Sequence, residues 1–186
     1  LFPYTTLFRS SYYETVKPQL EQVLSITLPA SMPEKETSFK RNGILYELHT
    51  DLAEFGSKRN RQLWAELMDQ AWKADYQVEV NGTAVRTLPP TLNVIYTFYH
   101  LFHHFIREGV ALRQLCDWAV LLHKLRNDIN RDELIDILKK LDLEKAYRAF
   151  GWVLIDRLGL PESDFPLQIE EIARSEERVS RNAETD

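Results

Sequence analysis

The sequence of 186 residues predicts an α+β fold, with a hairpin-bearing sheet region followed by a mainly α-helical C-terminal subdomain. Three observations carry this. Asn-Gly occurs at Asn42-Gly43 and again at Asn81-Gly82, each time between short β-prone runs, and this dipeptide most favours a two-residue hairpin turn. Apolar residues recur at helical spacing through several segments after Pro90. The order helix, hairpin, helix, hairpin and then helix upon helix separates strands from helices, as α+β chains do.

The elements follow in order. Leu1 to Ser10, LFPYTTLFRS, reads as the translation of a common sequencing-library adapter and is set apart from the fold, so the natural protein is expected to extend upstream of this fragment. Tyr12 to Thr27 is predicted helical, with Val16, Leu20, Val23 and Leu24 on one face and Pro18 in the first turn. ETSFKR and ILYELHT then form a hairpin around Asn42-Gly43, and alternation sets Ile44, Tyr46 and Leu48 against Leu45, Glu47 and His49. Lys58 to Ala74 is an amphipathic helix with Leu63, Trp64, Leu67, Met68, Ala71 and Trp72 inward. YQVEV and TAVRTL make the second hairpin.

Pro90 to Lys124 reads as two helices broken at Gly109, with Pro89 and Pro90 where a helix begins. The first has an apolar face of Leu92, Ile95, Tyr96, Tyr99 and Phe102; the second has Leu112, Leu115, Cys116, Ala119, Leu122 and His123. Beside these faces run polar stripes. His100 and His104 stand one turn apart with His103 next to them, and Arg113 and Asp117 are one turn apart with Gln114. Asn130 with Glu133 marks a capped helix through Leu134, Ile137, Leu138 and Leu141. The last helix runs from about Glu144 to Leu158 and ends at Gly159-Leu160-Pro161. Beyond Pro166 a charged tail reads as a weak, fraying helix. The expected organisation is residues 11–88, a sheet domain remnant; 89–166, a helical subdomain; and 167–186, a polar tail.

Composition narrows the class of function. A net charge of −5 with 27% charged residues gives no strong nucleic-acid signal. No apolar run is long enough to cross a bilayer. The lone Cys116 rules out an internal disulfide and suits a reducing compartment, so a cytoplasmic location is expected. Oligomeric state is left open.

ILYELHTDL, the following RNRQLWAELMDQAW, then LPPTLNVIYTFYHLFHHFIREGVALRQLCDW and the later LGLPE together resemble the uncharacterised nucleotidyltransferase family, a branch of the DNA polymerase β-like nucleotidyltransferase superfamily. The resemblance spans nearly all of Tyr12 to about Pro166. It implies a truncated nucleotidyltransferase-like mixed sheet and a nucleoside triphosphate substrate with an unknown acceptor. In that superfamily an Asp-x-Asp strand and a third carboxylate from a neighbouring strand hold Mg²⁺; Glu47 matches the third carboxylate. The chemistry needs several hard oxygen ligands converging on one ion. No Asp-x-Asp occurs in this sequence, and the fragment is therefore expected to be inactive.

Each polar residue also has a plainer reading. Glu47 is a metal ligand and catalytic residue by resemblance, or a strand residue paired with a lysine. His100, His103 and His104, with His49, face substrate by resemblance; the i, i+4 histidines alternatively bind metal or pack. Arg113 and Asp117 form an intrahelical ion pair worth about 0.3–0.5 kcal/mol, or Arg113 and Gln114 bind phosphate. The tryptophans read as core residues. Two alternatives to nucleotidyl transfer are a helical metal-dependent phosphohydrolase using His100, His104 and Asp117, and a non-catalytic binding module.

Overall fold

Strands pair antiparallel on either side of both Asn-Gly dipeptides. The computed structural model describes residues 17–19, 21–22, 25–28, 36–41, 44–49, 53, 55–107, 109 and 112–169, and in the first hairpin it describes the backbone. Strands β1 (Glu36–Arg41) and β2 (Ile44–His49) pair antiparallel from Glu36 opposite His49 to Arg41 opposite Ile44, the register of a two-residue connection. Strands β3 (Gln77–Val80) and β4 (Thr83–Arg86) pair the same way, with Val80 opposite Thr83. Their turn residues Asn81 and Gly82 have φ of 51° and 77°, the doubly left-handed geometry that favours this dipeptide. Each hairpin is its own two-stranded sheet.

The chain divides into two compact units, Leu1–Glu54 and Phe55–Asp186. In the first unit, residues 17–19 and 21–22 are helical. Ser25 lies at φ 53°, and the Ile26 amide donates to the Glu21 carbonyl at 3.3 Å. A left-handed residue followed by that bond closes a helix, so this one stops short of the expected Thr27. The Glu21 side chain also accepts from the Leu28 amide at 2.8 Å. The adapter-like residues 1–10 lie outside the described residues.

The described residues of the second unit form five α-helices: α1 (Lys58–Ala74), α2 (Pro90–Arg107), α3 (Leu112–Leu125), α4 (Arg131–Lys140) and α5 (Glu144–Leu158). Ser57 caps α1 by accepting from the Asn60 amide, and Arg61 donates back to the Phe55 and Gly56 carbonyls. Asn130 caps α4 in the predicted way, accepting from the Glu133 amide at 3.2 Å. Its own amide donates to the buried Thr91 hydroxyl, tying the start of α4 to the start of α2. Gly159, at φ 75°, ends α5 as the sequence predicts, with the Leu160 amide returning to the Leu154 carbonyl.

Helix α2 is the axis of the core. Thr91, Leu92, Val94, Ile95, Phe98, Tyr99 and Leu101 are all buried. The expected single face was therefore too narrow: Val94, Phe98 and Leu101 join it, while Tyr96 and Phe102 are only half-buried. A helix packed on several sides buries residues right round its axis. Phe98 meets the rings of Phe102, Trp118, Tyr147 and Phe150 at centroid distances of 4.8–5.7 Å.

Two further expectations are corrected. On α3 the buried residues are Trp118 and Leu122, whereas Cys116 and His123 are exposed and Leu112 is 61% exposed. The inward stripe thus lies to one side of the expected one, because the bulk of Trp118 sets which face turns in. On α1, Trp72 is exposed rather than core. The Arg86 guanidinium lies 4.4 Å over its ring and is itself bonded to Asp75. Residues 167–169 carry no helix, and Leu167 and Ile169 are buried; the rest of the tail, for which a weak helix is expected, lies outside the described residues.

Candidate functional site

Two places in the fold bring the singled-out residues together. The first is β2, where the register sets Glu47 opposite Ser38, His49 opposite Glu36 and Leu45 opposite Lys40. Glu47 thus stands in mid-strand, as the ILYELH pattern predicts, with the Lys40 position two pairs along. The side chains of Glu47 and His49 lie outside the described residues.

The second place flanks the turn at Gly109, whose φ of 86° suits a residue without a Cβ. Before it, the C-terminal half of α2 carries the three histidines, all half-buried. The His100 and His104 rings meet edge to face with centroids 4.6 Å apart, and His103 lies 6.3 Å from His104. Tyr96 and Tyr99, one turn earlier, lie 6.1 Å and 5.9 Å from His100 and His103. Tyr99 in turn contacts Phe55 at 4.3 Å, and Tyr96 stacks with Trp64 at 6.5 Å. The histidines therefore end an aromatic run that starts in the core.

After the turn, α3 opens with Arg113 and Gln114. Arg113 Nε lies 3.8 Å from Asp117 Oδ2, with the arginine 73% exposed. The ion-pair reading of these two residues holds. Arg113 stands at the first turn of a helix that has no acidic residue there. Backbone amides and a nearby guanidinium at such a turn favour anions. Among the described residues no group of three or more His, Cys, Asp or Glu side chains could hold a metal ion.

Sequence reasoning missed a third cluster. Asp164, on a short turn at Glu162–Asp164, is only 7% exposed by its side chain, yet it bears a carboxylate. His123 Nδ1 lies 2.6 Å from its Oδ2 and Arg126 Nε 3.7 Å from its Oδ1. The Ser163 hydroxyl lies 3.4 Å from Oδ1. The available signal was the apolar setting of the acid in SDFPL, which a solvated tail would not need.

A family model described as "Uncharacterised nucleotidyltransferase" matches residues 7–159. No curated protein and no solved structure matches the chain. No helix among the described residues is long and apolar enough to cross a membrane.

Proposed function

Since the chain belongs to the uncharacterised nucleotidyltransferase family, we propose that the protein transfers a nucleotidyl group from a nucleoside triphosphate to an acceptor hydroxyl, with Mg²⁺, and that Glu47 is one of the carboxylates that hold the ion. The observation that carries this reading is the family match across residues 7–159 with Glu47 inside it, in the middle of a paired strand. When bound, Mg²⁺ supplies charge neutralisation at the phosphates. The described residues alone do not make a metal site, so Glu47 needs further carboxylates, and without an Asp-x-Asp pair the chain by itself is expected to be inactive.

The rest of the chemistry falls to this chain's own groups. Arg113 and Gln114, at the amide-rich start of α3, bind phosphate oxygens, for which a guanidinium has the fitting fork geometry. His100, His103 and His104, half-buried at the end of α2, and His49 on β2 orient substrate by hydrogen bonds. Asp117 holds Arg113 in place.

The test is pyrophosphate release from each common nucleoside triphosphate in Mg²⁺, using the longest product the source gene encodes. Glu47→Ala is expected to lower the rate by more than about a hundredfold, the loss of a metal ligand, with the helical unit's melting unchanged. Retained activity in that variant sinks the assignment of Glu47.

A further inference from the structure

Residues 160–169 leave α5 at Gly159 and fold back over α3 and α5. Leu160, Phe165, Leu167 and Ile169 are buried. The Phe165 ring stacks on Tyr147 at 5.6 Å and meets Trp118 edge-on at 6.3 Å. It also fills the notch left by Gly151, where a Cβ would lie 2.0 Å from Phe165 Cζ. Arg148 of α5 donates to the Gln168 carbonyl. Asp164 sits between these apolar anchors and accepts from His123, with Arg126 beside it.

Trp118 Nε1 and Tyr147 Oη are buried with no hydrogen-bond partner among the described residues, and both rings touch Phe165. A buried donor without a partner loses its bond to water and gains nothing in return. Lifting Phe165 off these two rings would open a route by which water could reach them. The closed form is thus held by apolar burial and the Asp164 contacts, with two unpaired polar groups on the rings that Phe165 touches.

We propose that residues 160–169 form a strap that opens and closes as a unit on a helical core that stays folded, with Asp164 as its bolt to His123 and Arg126. The strap begins where the family match ends, after residue 159, yet its partners His123, Tyr147 and Gly151 all lie within the match. It is a conformational device at the far end of α3 from Arg113, and it stands independently of the nucleotide reading. Local opening of this kind is a free-energy level below global unfolding.

Native-state hydrogen exchange on the whole chain tests it. The strap reporters are the Leu160, Asp164 and Phe165 amides, bonded to the Leu154, Pro161 and Glu162 carbonyls; the core reporters are amides of α2. Three variants separate the possibilities. Ile137→Val, on α4 away from the strap's partners, is expected to speed α2 exchange about fivefold to tenfold and leave the strap unchanged, because the contact it weakens persists when the strap is open. Asp164→Asn is expected to speed strap exchange about tenfold, and Tyr147→Phe, which keeps the ring and removes the unpaired hydroxyl, to slow it. Strap exchange that rises with α2 exchange in Ile137→Val makes the segment part of one cooperative core and overturns the proposal. So does an unchanged strap in Asp164→Asn, or a faster one in Tyr147→Phe.

Discussion

Gly151 shows what a single residue can decide. It lies in the middle of α5, where glycine costs helical stability relative to alanine. Here the alanine methyl would sit 2.0–2.5 Å from three Phe165 ring atoms. Overpacking outweighs propensity, so Gly151→Ala is expected to destabilise the helical unit by about 1–3 kcal/mol, measured by denaturant unfolding. A neutral or stabilising result would mean that Phe165 does not occupy the notch. Legibility at this scale depended on whether the cause was local. Asn130 was readable because a cap is made with a residue three positions on. Asp164 and Gly151 were not, because their partners lie 41 positions away at His123 and across a loop at Phe165. Nor was the exposure of Cys116 and His123 readable, since spacing alone offers two adjoining stripes on α3 and only packing chooses between them.

At the level of elements, the boundaries came out of the sequence wherever a start or stop is built from neighbouring residues, as at Lys58 to Ala74 or at Gly159. The junction of α1 with the β3–β4 hairpin was less legible. There Asp75, left-handed at φ 49°, caps α1. Its carboxylate accepts from Gln77 and from Arg86, which also stacks on Trp72. These bonds, Gln77 first and then Arg86, hold the Asp75 carboxyl below its ordinary range. A carboxyl depressed in the folded state contributes stability above its unfolded value, about pH 4, and loses it as pH falls through the lower folded value. The hairpin's attachment to α1 is therefore expected to persist through neutral pH and to loosen only below about pH 4. A carbon-detected NMR titration of the Asp75 carboxyl checks this, and a midpoint at or above the ordinary value would remove the contribution.

For the whole molecule the division of labour is uneven. The Glu47 strand lies in the unit Leu1–Glu54, while the histidine, Arg113 and strap residues lie in Phe55–Asp186. The α+β class was legible because the hairpin dipeptides and helical periods are spread along the chain, one signal per element. The centre of the core was not, because Phe98 falls outside the face that α2's spacing suggests. Yet four aromatic rings from α2, α3 and α5 converge on it. Phe98→Ala would leave a cavity at that meeting point and cost about 3–5 kcal/mol, against a total stability of about 5–15 kcal/mol for a domain. All four tryptophans, Trp64, Trp72, Trp118 and Trp152, belong to this unit, so fluorescence follows its unfolding alone. The expected result is one transition moved far toward lower denaturant with its slope kept, since the same surface is exposed. A lower slope would instead show that the unit already separates around α2 before it unfolds, and that its helices owe their order more to local caps than to the ring cluster.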